Sequence, residues 1–466
     1  MYKIKFGTDG WREIIADNYT VENVTRVAHA TAKWLKAAST NHSCTVGYDC
    51  RFGGKLFAET TARVLAHHGI KVFLSKGFCS TPMISLANVK LNTFAGVIIT
   101  ASHNPPNYNG YKIKAHYGGP VIPAEIEKVE SIIDYNESVS LKSLDEYISE
   151  GLVEFADFEK IYLQQVSEKF DVAKLKSYAP NFAYDAMYGA GQNAIRNLLP
   201  GATLLHCEYN PGFNNVAPEP ILKNLMEFSN LIKNNDKILC GLATDGDADR
   251  IGFFDSKGRF VDSHHLILLL MQYLTQYKGL SGKIVKSFSV SSKIDKLAKH
   301  LNLETITTKI GFKYICEYMI TDDVLIGAEE SGGIAVKGHI PERDGIWMGL
   351  LILEYMAVTG KSVEELIDQT YAIIGSFAVE RYDLHIEEAT KQSIIQSCKG
   401  NAYSSFGNYK VEKVEDMDGF KFHLGNEEWV MIRPSGTEPV LRVYAESTTS
   451  EKAYAILDAC KAAILK

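Results

Sequence analysis

The stretch Phe94-Ala-Gly-Val-Ile-Ile-Thr-Ala-Ser-His-Asn-Pro-Pro-Asn-Tyr-Asn-Gly-Tyr-Lys112 decides how the rest of the chain is interpreted. Its first six residues form a short apolar, β-rich run between loop formers, which predicts a buried strand. Ser102 then lies just past a strand end, where open α/β sheets place their ligands. A histidine, a stiff Pro-Pro pair and a lysine follow it. An ordinary surface turn is the alternative, and three later polar clusters weigh against it.

Bulk composition sets the class of protein but not its function. The chain has 466 residues, of which 46% are hydrophobic and 23% charged, as in ordinary soluble proteins. That length predicts about three or four domains. The eight cysteines include no Cys-x-x-Cys pair, which argues against a zinc site or a disulfide framework and favours a reducing cytoplasm. The net charge of −7 without a basic block argues against nucleic acid as a partner.

Neither a membrane span nor a leader segment is predicted. No apolar run approaches the ~18 residues that a membrane-spanning helix needs. Residues 1–6 lack the apolar core of a signal peptide. We therefore expect a cytoplasmic protein with no membrane partner.

The order of predicted elements indicates an α/β fold. In the first block, helices are predicted over residues 21–37 and 57–68, and strands over 44–48, 70–74 and 94–99. This rhythm predicts a mostly parallel sheet with helices on its faces. Residues 135–151 are polar and mark a boundary.

Later blocks repeat one feature, a core strand that ends in a short polar motif. The strand predicted over 237–243 leads into Asp245-Gly-Asp-Ala-Asp-Arg250, and that over 324–328 leads into Glu329-Glu-Ser-Gly-Gly333. Other predicted elements in these blocks are helices over 158–170 and 266–277 and strands over 182–185, 203–205, 283–287 and 305–308. The last block predicts a hairpin-built α+β domain, with strands over 378–385, 409–414, 429–432 and 440–445 and a closing helix over 451–465. The predicted domains are 1–150, 151–255, 256–374 and 375–466.

Three aspartates form the first chemical cluster. Asp245, Asp247 and Asp249 lie two residues apart, so an extended loop would turn all three carboxylates to one side. They repel one another unless a cation lies among them, and oxygen ligands suit Mg²⁺. An EF-hand is excluded because its sixth position would be Arg250 and its twelfth Ser256. An acidic turn that caps a helix is the alternative, whereas in a metal site Arg250 would neutralise phosphate oxygens.

Two further clusters offer phosphate and sugar contacts. Arg433-Pro-Ser-Gly-Thr437 combines a guanidinium, two hydroxyls and an open glycine amide, which together make a phosphate cradle as well as a hairpin turn. Glu329 and Ser331 offer an acceptor and a hydroxyl for sugar hydroxyl groups, although a glycine-rich turn explains them equally well. Gly7-Thr-Asp-Gly-Trp-Arg12 adds a basic residue beside a tight turn.

Nucleotide and hydrolase signatures are missing from the sequence. There is no G-x-G-x-x-G, and Gly360-Lys-Ser362 is not a P-loop because Tyr355 occupies the required first glycine. No G-x-S-x-G surrounds Ser102. A serine nucleophile, a Mg²⁺ site and a phosphate cradle without an ATP motif indicate phosphoryl transfer between an enzyme serine and a phosphorylated substrate.

With these motifs established, the chain resembles the α-D-phosphohexomutase family of phosphoglucomutases and phosphomannomutases. The resemblance covers essentially the whole length and rests on four loops in order, namely Thr100-Ala-Ser-His-Asn-Pro105, Asp245-Gly-Asp-Ala-Asp-Arg250, Gly327-Ala-Glu-Glu-Ser-Gly332 and Arg433-Pro-Ser-Gly-Thr-Glu-Pro439. It implies three related α/β domains with mixed sheets and a smaller C-terminal α+β domain around a central cleft. It also implies hexose phosphates as small-molecule partners, and a monomer or homodimer.

The resemblance implies a role for each motif residue. Ser102 would be carried as phosphoserine and would complete a Mg²⁺ shell with Asp245, Asp247 and Asp249. Its phosphoryl group would pass to hexose 1-phosphate, giving a bound hexose 1,6-bisphosphate that acts as intermediate and activator. This intermediate would turn around and return its other phosphate to Ser102, releasing hexose 6-phosphate. Lys112 matches the family's general acid/base, and the other residues implied to line the site or hold substrate are Arg12, His103, Arg250, Lys309, Glu329, Ser331, Arg433, Ser435, Gly436 and Thr437.

One departure from the family bears on the sugar. Phosphoglucosamine mutases and many phosphomannomutases have a histidine that closes the sugar-binding loop, where this chain has Gly333. We therefore expect glucose as the leading sugar and mannose as the second, with phosphoglucosamine mutase as the alternative within the class. A catalytically silent sugar-phosphate-binding relative and a phosphatase that lets its phosphoserine hydrolyse are alternatives from other classes. Silent relatives usually lose the nucleophile or a metal ligand, and this chain keeps both.

Overall fold

The computed structural model describes residues 2–7, 9–136, 139–434 and 440–465. Its contacts divide the chain into two compact units, Met1–Gly282 with Gly311–Leu366, and Lys283–Ile310 with Ile367–Lys466. The α-helices of the first unit are Val21–Ala38, Gly54–His67, Thr81–Lys90, Pro123–Ser131, Leu144–Ser149, Phe158–Lys169, Val172–Tyr178, Gln192–Leu198, Met226–Lys233, Ser263–Gln272, Phe312–Thr321 and Gly345–Thr359. Those of the second unit are Lys293–His300, Glu388–Lys399 and Ser450–Ile464, and Val363–Ile374 spans the point where the chain passes between units.

A six-stranded mixed sheet forms the N-terminal core of the first unit. Its strands in spatial order are Trp11–Ile14, Tyr108–Ala115, Ala95–Ile99, Ser43–Tyr48, Lys71–Ser75 and Val153–Ala156. The last four run parallel to one another, whereas the first two pair antiparallel. The expected parallel sheet therefore carries an antiparallel edge, and it continues past residue 150. The strand Tyr108–Ala115 was not predicted, because its Asn and Gly residues are typical of turns.

A five-stranded sheet carries the acidic motif. Its strands in spatial order are Phe260–Val261, Ile251–Asp255, Cys240–Thr244, Phe182–Asp185 and Thr203–Leu205. Thr244 lies opposite Ile251 in an antiparallel pair, so residues 245–250 must reverse the chain direction. The acidic residues therefore lie in a hairpin turn and not in an extended loop, because a hairpin connection has to fold back on itself.

The motif of residues 329–333 also connects two paired strands. Ala328 lies opposite Ile334 where Val324–Ala328 pairs antiparallel with Ile334–Val336. All five residues of the first of these strands are buried. The following helix, Gly345–Thr359, begins at Asp344, whose side chain accepts the amide of Trp347. Within the described residues no single helix combines the length and hydropathy of a membrane span, and only Gly345–Thr359 and Val363–Ile374, counted together across a sharp bend, meet both criteria.

The second unit is built mainly on an antiparallel sheet. Its strands in spatial order are Ala378–His385, Val440–Ser447, Glu428–Pro434, Phe420–Gly425 and Lys413–Glu415. A parallel pair, Lys283–Ser287 with Thr305–Thr308, belongs to the same unit. The single strand predicted over 409–414 is wrong, because Tyr409–Lys410 pairs with Ser405–Phe406 whereas Lys413–Glu415 joins the larger sheet. The mixed sheets and the smaller antiparallel C-terminal part confirm the predicted fold class, and the four domain ranges stay a prediction.

Candidate active site

The turn that carries Ser102, residues 100–107, is called the nucleophile turn. Ser102 has a φ of 53°, a left-handed conformation that a residue other than glycine adopts at a cost. Its amide donates to Thr100 Oγ1 at 2.9 Å, and its Oγ donates to Asp245 Oδ2 at 2.6 Å. The sequence therefore placed Ser102 correctly at a strand end, and the structure brings it against the acidic motif.

A buried arginine holds the nucleophile turn. Arg51 donates to the carbonyl oxygens of four of its neighbours, at 2.6 Å to Ser102, 2.6 Å to Asn104, 2.9 Å to Pro105 and 3.0 Å to Tyr108. Since each bond fixes a different peptide group, the turn has little freedom to rotate Ser102.

Asp49 completes this support. Its Oδ2 accepts the Thr100 hydroxyl at 2.5 Å and lies 3.3 Å from Arg51 Nε. Burial raises the pKa of Asp49 to about 6, although the charge of Arg51 opposes the shift. Sequence reasoning missed both residues, yet Asp49-Cys-Arg51 follows the buried strand Ser43–Tyr48, so the same strand-end rule would have found them.

The acidic turn, residues 245–250, is held by its own backbone. Ala248 has a φ of 56°, and Asp245 Oδ1 accepts the amides of Asp249 at 2.9 Å and Arg250 at 3.1 Å. Asp245, Asp247 and Asp249 are buried, and one carboxylate oxygen of each lies within 4.8 Å of the others. The three carboxylates thus converge although the loop is not extended.

The acidic turn fits a divalent cation. Asp247 Oδ1 and Asp249 Oδ1 are buried and have no hydrogen-bond donor among the described residues, which is costly for a carboxylate. Burial, and then the charges of Asp247 and Asp249, raise the pKa of Asp245 well above its usual range. A cation among these oxygens would relieve both penalties, and an all-oxygen set suits a hard divalent ion.

Lys112 joins the acidic turn to the first sheet. It lies opposite Ile98, in the strand that precedes the nucleophile turn. Its Nζ lies 2.8 Å from Asp247 Oδ2, 2.8 Å from Asp9 Oδ2 and 3.3 Å from Asp249 Oδ2. Burial acts to lower the pKa of Lys112, but these three carboxylates outweigh it and raise the pKa above its usual value. Lys112 is therefore a buried cation that can stabilise negative charge beside the acidic turn.

Asp9 and Arg343 form a second bridge that sequence reasoning missed. Arg343 Nη2 donates to Asp9 Oδ2 at 2.5 Å and to Asp249 Oδ2 at 2.6 Å. Burial would raise the pKa of Asp9, but Lys112 and Arg343 hold it well below its usual range. Asp9 and Arg343 are 334 positions apart, so no local spacing reveals the pair.

The motif of residues 329–333 lies beside Arg343. Glu329 is buried, its Oε2 lies 3.5 Å from Arg343 Nη1, and burial raises its pKa to about 7 against the effect of that arginine. Ser331 is half-buried in the same turn. A Cβ atom at Gly333 would overlap Arg343 Cδ and lie 3.1 Å from Glu329 Oε2. Gly333 therefore leaves the space that the Arg343 side chain occupies, and a larger residue at this position would collide with it.

The remaining basic residues of the first unit surround these turns. Arg12 donates to Asn104 Oδ1 at 2.8 Å and to the Asp9 carbonyl at 3.3 Å. Burial, followed by the charges of Arg250 and Arg12, lowers the pKa of His103 well below its usual range, so its ring is neutral near pH 7. The structure thus gathers Ser102, Lys112, the three aspartates and these basic residues within one unit, while their catalytic roles stay predictions.

The predicted residues of the second unit are described only in part. Lys309 is exposed directly after the strand Thr305–Thr308, and Arg433 Nε lies 3.2 Å from Asp418 Oδ1. Ser435, Gly436 and Thr437 lie outside the described residues, so the phosphate cradle stays a prediction.

Comparisons with known proteins cover all four motif loops. Profiles described as the alpha/beta/alpha domains I, II and III and the C-terminal domain of phosphoglucomutase/phosphomannomutase match residues 3–140, 160–258, 262–373 and 405–463. A phosphoglucosamine mutase from Methanocaldococcus jannaschii is 30% identical over 460 residues, covering 97% of this chain and 96% of its own. A phosphoglucomutase/phosphomannomutase from Thermococcus kodakarensis is 29% identical over 458 residues, with the same coverage of 97% and 96%. A crystal structure from Thermus thermophilus, of a protein assigned as a phosphomannomutase, shares 32% identity, a TM-score of 0.87 and full coverage of both chains.

Proposed function

Since this chain belongs to the α-D-phosphohexomutase family and is an intramolecular phosphotransferase of that type, we propose that it interconverts hexose 1-phosphate and hexose 6-phosphate. Glucose is the leading substrate and mannose the second. The reaction runs through a phosphoserine at Ser102 and a hexose 1,6-bisphosphate, which also serves as activator.

One observation carries this proposal, the contact between the nucleophile turn and the acidic turn. Ser102 Oγ lies 2.6 Å from Asp245 Oδ2, and Lys112 Nζ lies 2.8 Å from Asp247 Oδ2. A serine beside converging carboxylates and a buried cation suits transfer of a phosphoryl group to and from its hydroxyl. The catalytically silent alternative is disfavoured because every member of this constellation is present.

The acidic turn would hold Mg²⁺. One carboxylate oxygen each from Asp245, Asp247 and Asp249 would hold the ion, together with the phosphoryl group proposed on Ser102. When bound, the ion neutralises charge on the phosphoryl group during transfer.

Ser102 and Lys112 would carry out the transfer of the phosphoryl group and of the proton that moves with it. In the first step the bond between phosphorus and Ser102 Oγ breaks, and a bond forms between phosphorus and the 6-hydroxyl oxygen of hexose 1-phosphate. The hydroxyl proton ends on Ser102 Oγ, with Lys112 as the acid that supplies it and accepts the substrate's proton in exchange. The bisphosphate then turns around, and the reverse transfer of its 1-phosphate restores phosphoserine and leaves hexose 6-phosphate.

Other residues would hold the substrate through both transfers. Glu329 and Ser331 contact sugar hydroxyls, and Arg12, His103 and Arg250 line the reacting phosphate. The residues that would bind the non-reacting phosphate are Lys309, Arg433, Ser435, Gly436 and Thr437. Because phosphoryl transfer needs alignment more than covalent help, these contacts carry much of the catalysis.

A coupled assay tests the activity. The protein receives α-glucose 1-phosphate, Mg²⁺ and a trace of glucose 1,6-bisphosphate, and glucose 6-phosphate is read with its dehydrogenase. We expect turnover that falls at least about 10⁴-fold in Ser102→Ala. Turnover that survives this substitution would refute the role of Ser102, and steady release of inorganic phosphate would indicate a phosphatase.

Glucosamine is the second candidate sugar. The phosphoglucosamine mutase from Methanocaldococcus jannaschii supports it, whereas Gly333 weighs against it. Parallel assays with glucose, mannose and glucosamine 1-phosphates decide between them by the ratio of kcat/KM values. A glucosamine preference would overturn our assignment of the sugar but leave the mutase chemistry intact.

A further inference from the structure

One carboxylate in the second unit joins two segments of the chain that are distant in sequence. Asp418 lies in the turn between the strands Lys413–Glu415 and Phe420–Gly425. Its Oδ2 accepts the amide of Ile310 at 2.8 Å, across 108 positions of sequence, and its Oδ1 accepts Arg433 Nε at 3.2 Å. Both oxygens of the carboxylate are thus used, each by a different segment.

The turn lies directly against Arg433. Gly419 has a φ of 90°, and a Cβ atom there would lie 2.7 Å from the Ile432 carbonyl oxygen and 3.0 Å from Arg433 Cβ. Only glycine permits so close an approach in this conformation. The neighbouring residue Phe420 pairs with Ile432 in the antiparallel sheet, so the position of Asp418 beside Arg433 is fixed by the backbone.

The contact to Arg433 orients its guanidinium. This planar group carries its N–H donors in a rigid fork. A carboxylate on Nε stops rotation of the group and leaves the Nη donors, at the far end of the fork, for an anion. Asp418 therefore holds the arginine in a position from which two parallel bonds to a phosphate can form.

The contact to Ile310 fixes the residue before it in sequence. Lys309 follows the strand Thr305–Thr308, its side chain is exposed, and Ile310 is the next residue. Anchoring the Ile310 amide limits how far the Lys309 backbone can move. One carboxylate thus restrains two cationic residues at once.

We propose that Asp418 is a positioning residue that sets Arg433 and Lys309 relative to each other, so that both cations engage one hexose phosphate. This inference rests on the proposed function, which assigns these two residues to the substrate. Without Asp418 the Arg433 guanidinium and the backbone at Lys309 would have to be ordered on binding, so the loss appears mainly in substrate affinity.

The test compares Asp418→Ala with Asp416→Ala, which removes an exposed carboxylate from the same turn. KM and kcat are measured for α-glucose 1-phosphate, and binding of the same ligand is measured by calorimetry in a Ser102→Ala background. We expect Asp418→Ala to raise KM and Kd about ten- to hundredfold with a smaller change in kcat, because a charge-assisted contact is lost. Asp416→Ala should change neither value.

A double substitution separates positioning from a merely structural role. Arg433→Ala alone should raise KM, and adding Asp418→Ala to it should raise KM little further, because the carboxylate acts largely through that arginine. Asp418→Asn, which keeps the size but can accept through only one oxygen, should fall between the wild type and Asp418→Ala.

Three outcomes would overturn the proposal. The first is an Asp418→Ala protein with the KM of Asp416→Ala, and the second is full additivity with Arg433→Ala. The third is unchanged ligand binding in the Ser102→Ala background. If the wild type has no mutase activity yet binds hexose phosphate, the calorimetric comparison still decides the role of Asp418. If it neither turns over nor binds, the proposed function and this inference fail together.

Discussion

The nucleophile turn and the acidic turn meet at one 2.6 Å hydrogen bond, yet they are held in opposite ways. Both contain a left-handed residue other than glycine, Ser102 with a φ of 53° and Ala248 with a φ of 56°. Arg51 holds the first from outside, through the carbonyl oxygens of three of its residues and of Tyr108, which follows it. Asp245 holds the second from inside, through amides of its own turn.

The difference separates two tasks within one site. The geometry of Ser102, the proposed phosphoryl donor, depends on a charged residue from another strand end, so it can be lost while the acidic turn persists. The acidic turn instead needs its three carboxylates and the cation they would hold. Substitutions in one region should therefore leave the other region's property intact.

The largest effect is expected from Asp247→Asn, which breaks the acidic turn alone. The substitution would keep the shape of the side chain but remove one charge and one candidate ligand oxygen. We expect the affinity for Mn²⁺, used as a spectroscopic probe for Mg²⁺, to fall by more than about a hundredfold, beyond the loss typical of outer-shell partners. Mutase turnover should vanish at ordinary Mg²⁺ concentrations. Asp236→Asn, at an exposed position, is the control, and an Asp247→Asn protein with full Mn²⁺ affinity would contradict the metal assignment.

The next effect is expected from Arg51→Lys, which loosens the nucleophile turn alone. Lysine keeps the charge beside Asp49 but cannot reach four carbonyl oxygens with one ammonium group. We expect kcat to fall about a hundredfold, the effect of a misplacement of ~1 Å at a reacting group. Mn²⁺ affinity should stay unchanged within about twofold.

A matched control exists on the helix Gly54–His67. Arg63 also donates to backbone carbonyls, at 2.8 Å to Lys142 and 3.4 Å to Leu141, but away from the site. Arg63→Lys should keep wild-type kcat. Equal losses in the two variants, or a parallel loss of Mn²⁺ affinity in Arg51→Lys, would show that the two turns are not independent.

Glu329→Gln tests a buried charge outside both turns. Burial raises the pKa of Glu329 from 4.5 to about 7, so the folded protein binds the proton more tightly than the unfolded chain does. The free energy of unfolding that this group contributes should therefore fall as pH rises from 4.5 to about 7, and stay constant above. The total change is about 3 kcal/mol. Comparing unfolding of wild type and Glu329→Gln at pH 5 and pH 8 isolates it, and parallel pH profiles would contradict the shift.

The sequence predicted where the motif residues lie better than it predicted the residues that hold them in place. Strands that end at Ile99 and Ala328 follow from their buried apolar runs, and each delivers a polar motif to a turn. Such strands can be predicted from the sequence because a strand that is buried on both faces of its sheet needs an unbroken apolar run. The acidic strand also exists, although it covers Cys240–Thr244 and not 237–243.

The partners of these motifs were not visible in the sequence. Folding buries the charged residues Arg51 and Arg343 and half-buries Asp9, and composition gives no sign of this. Their contacts depend on which distant strands become neighbours, as the pairing of Ile98 with Lys112 shows. The shape of the acidic loop could not be predicted for the same reason, since only the pairing of Cys240–Thr244 with Ile251–Asp255 makes it a hairpin turn.

The smallest effect is expected from Gly333→Ala. This substitution would act on the acidic turn indirectly, through Arg343, which donates to Asp249. The new methyl group would overlap Arg343 Cδ, and the arginine cannot simply move because Asp9 and Asp249 hold its far end. We expect the free energy of unfolding to fall by about 1–3 kcal/mol, as for other overpacked cores. Gly77→Ala, where a Cβ would meet nothing within 4 Å, should be neutral. If Ser102 carries the proposed phosphoryl group, the phosphoserine content measured by mass spectrometry should be unchanged because the clash does not reach Arg51. A lower content would show that Arg343 also supports the nucleophile turn.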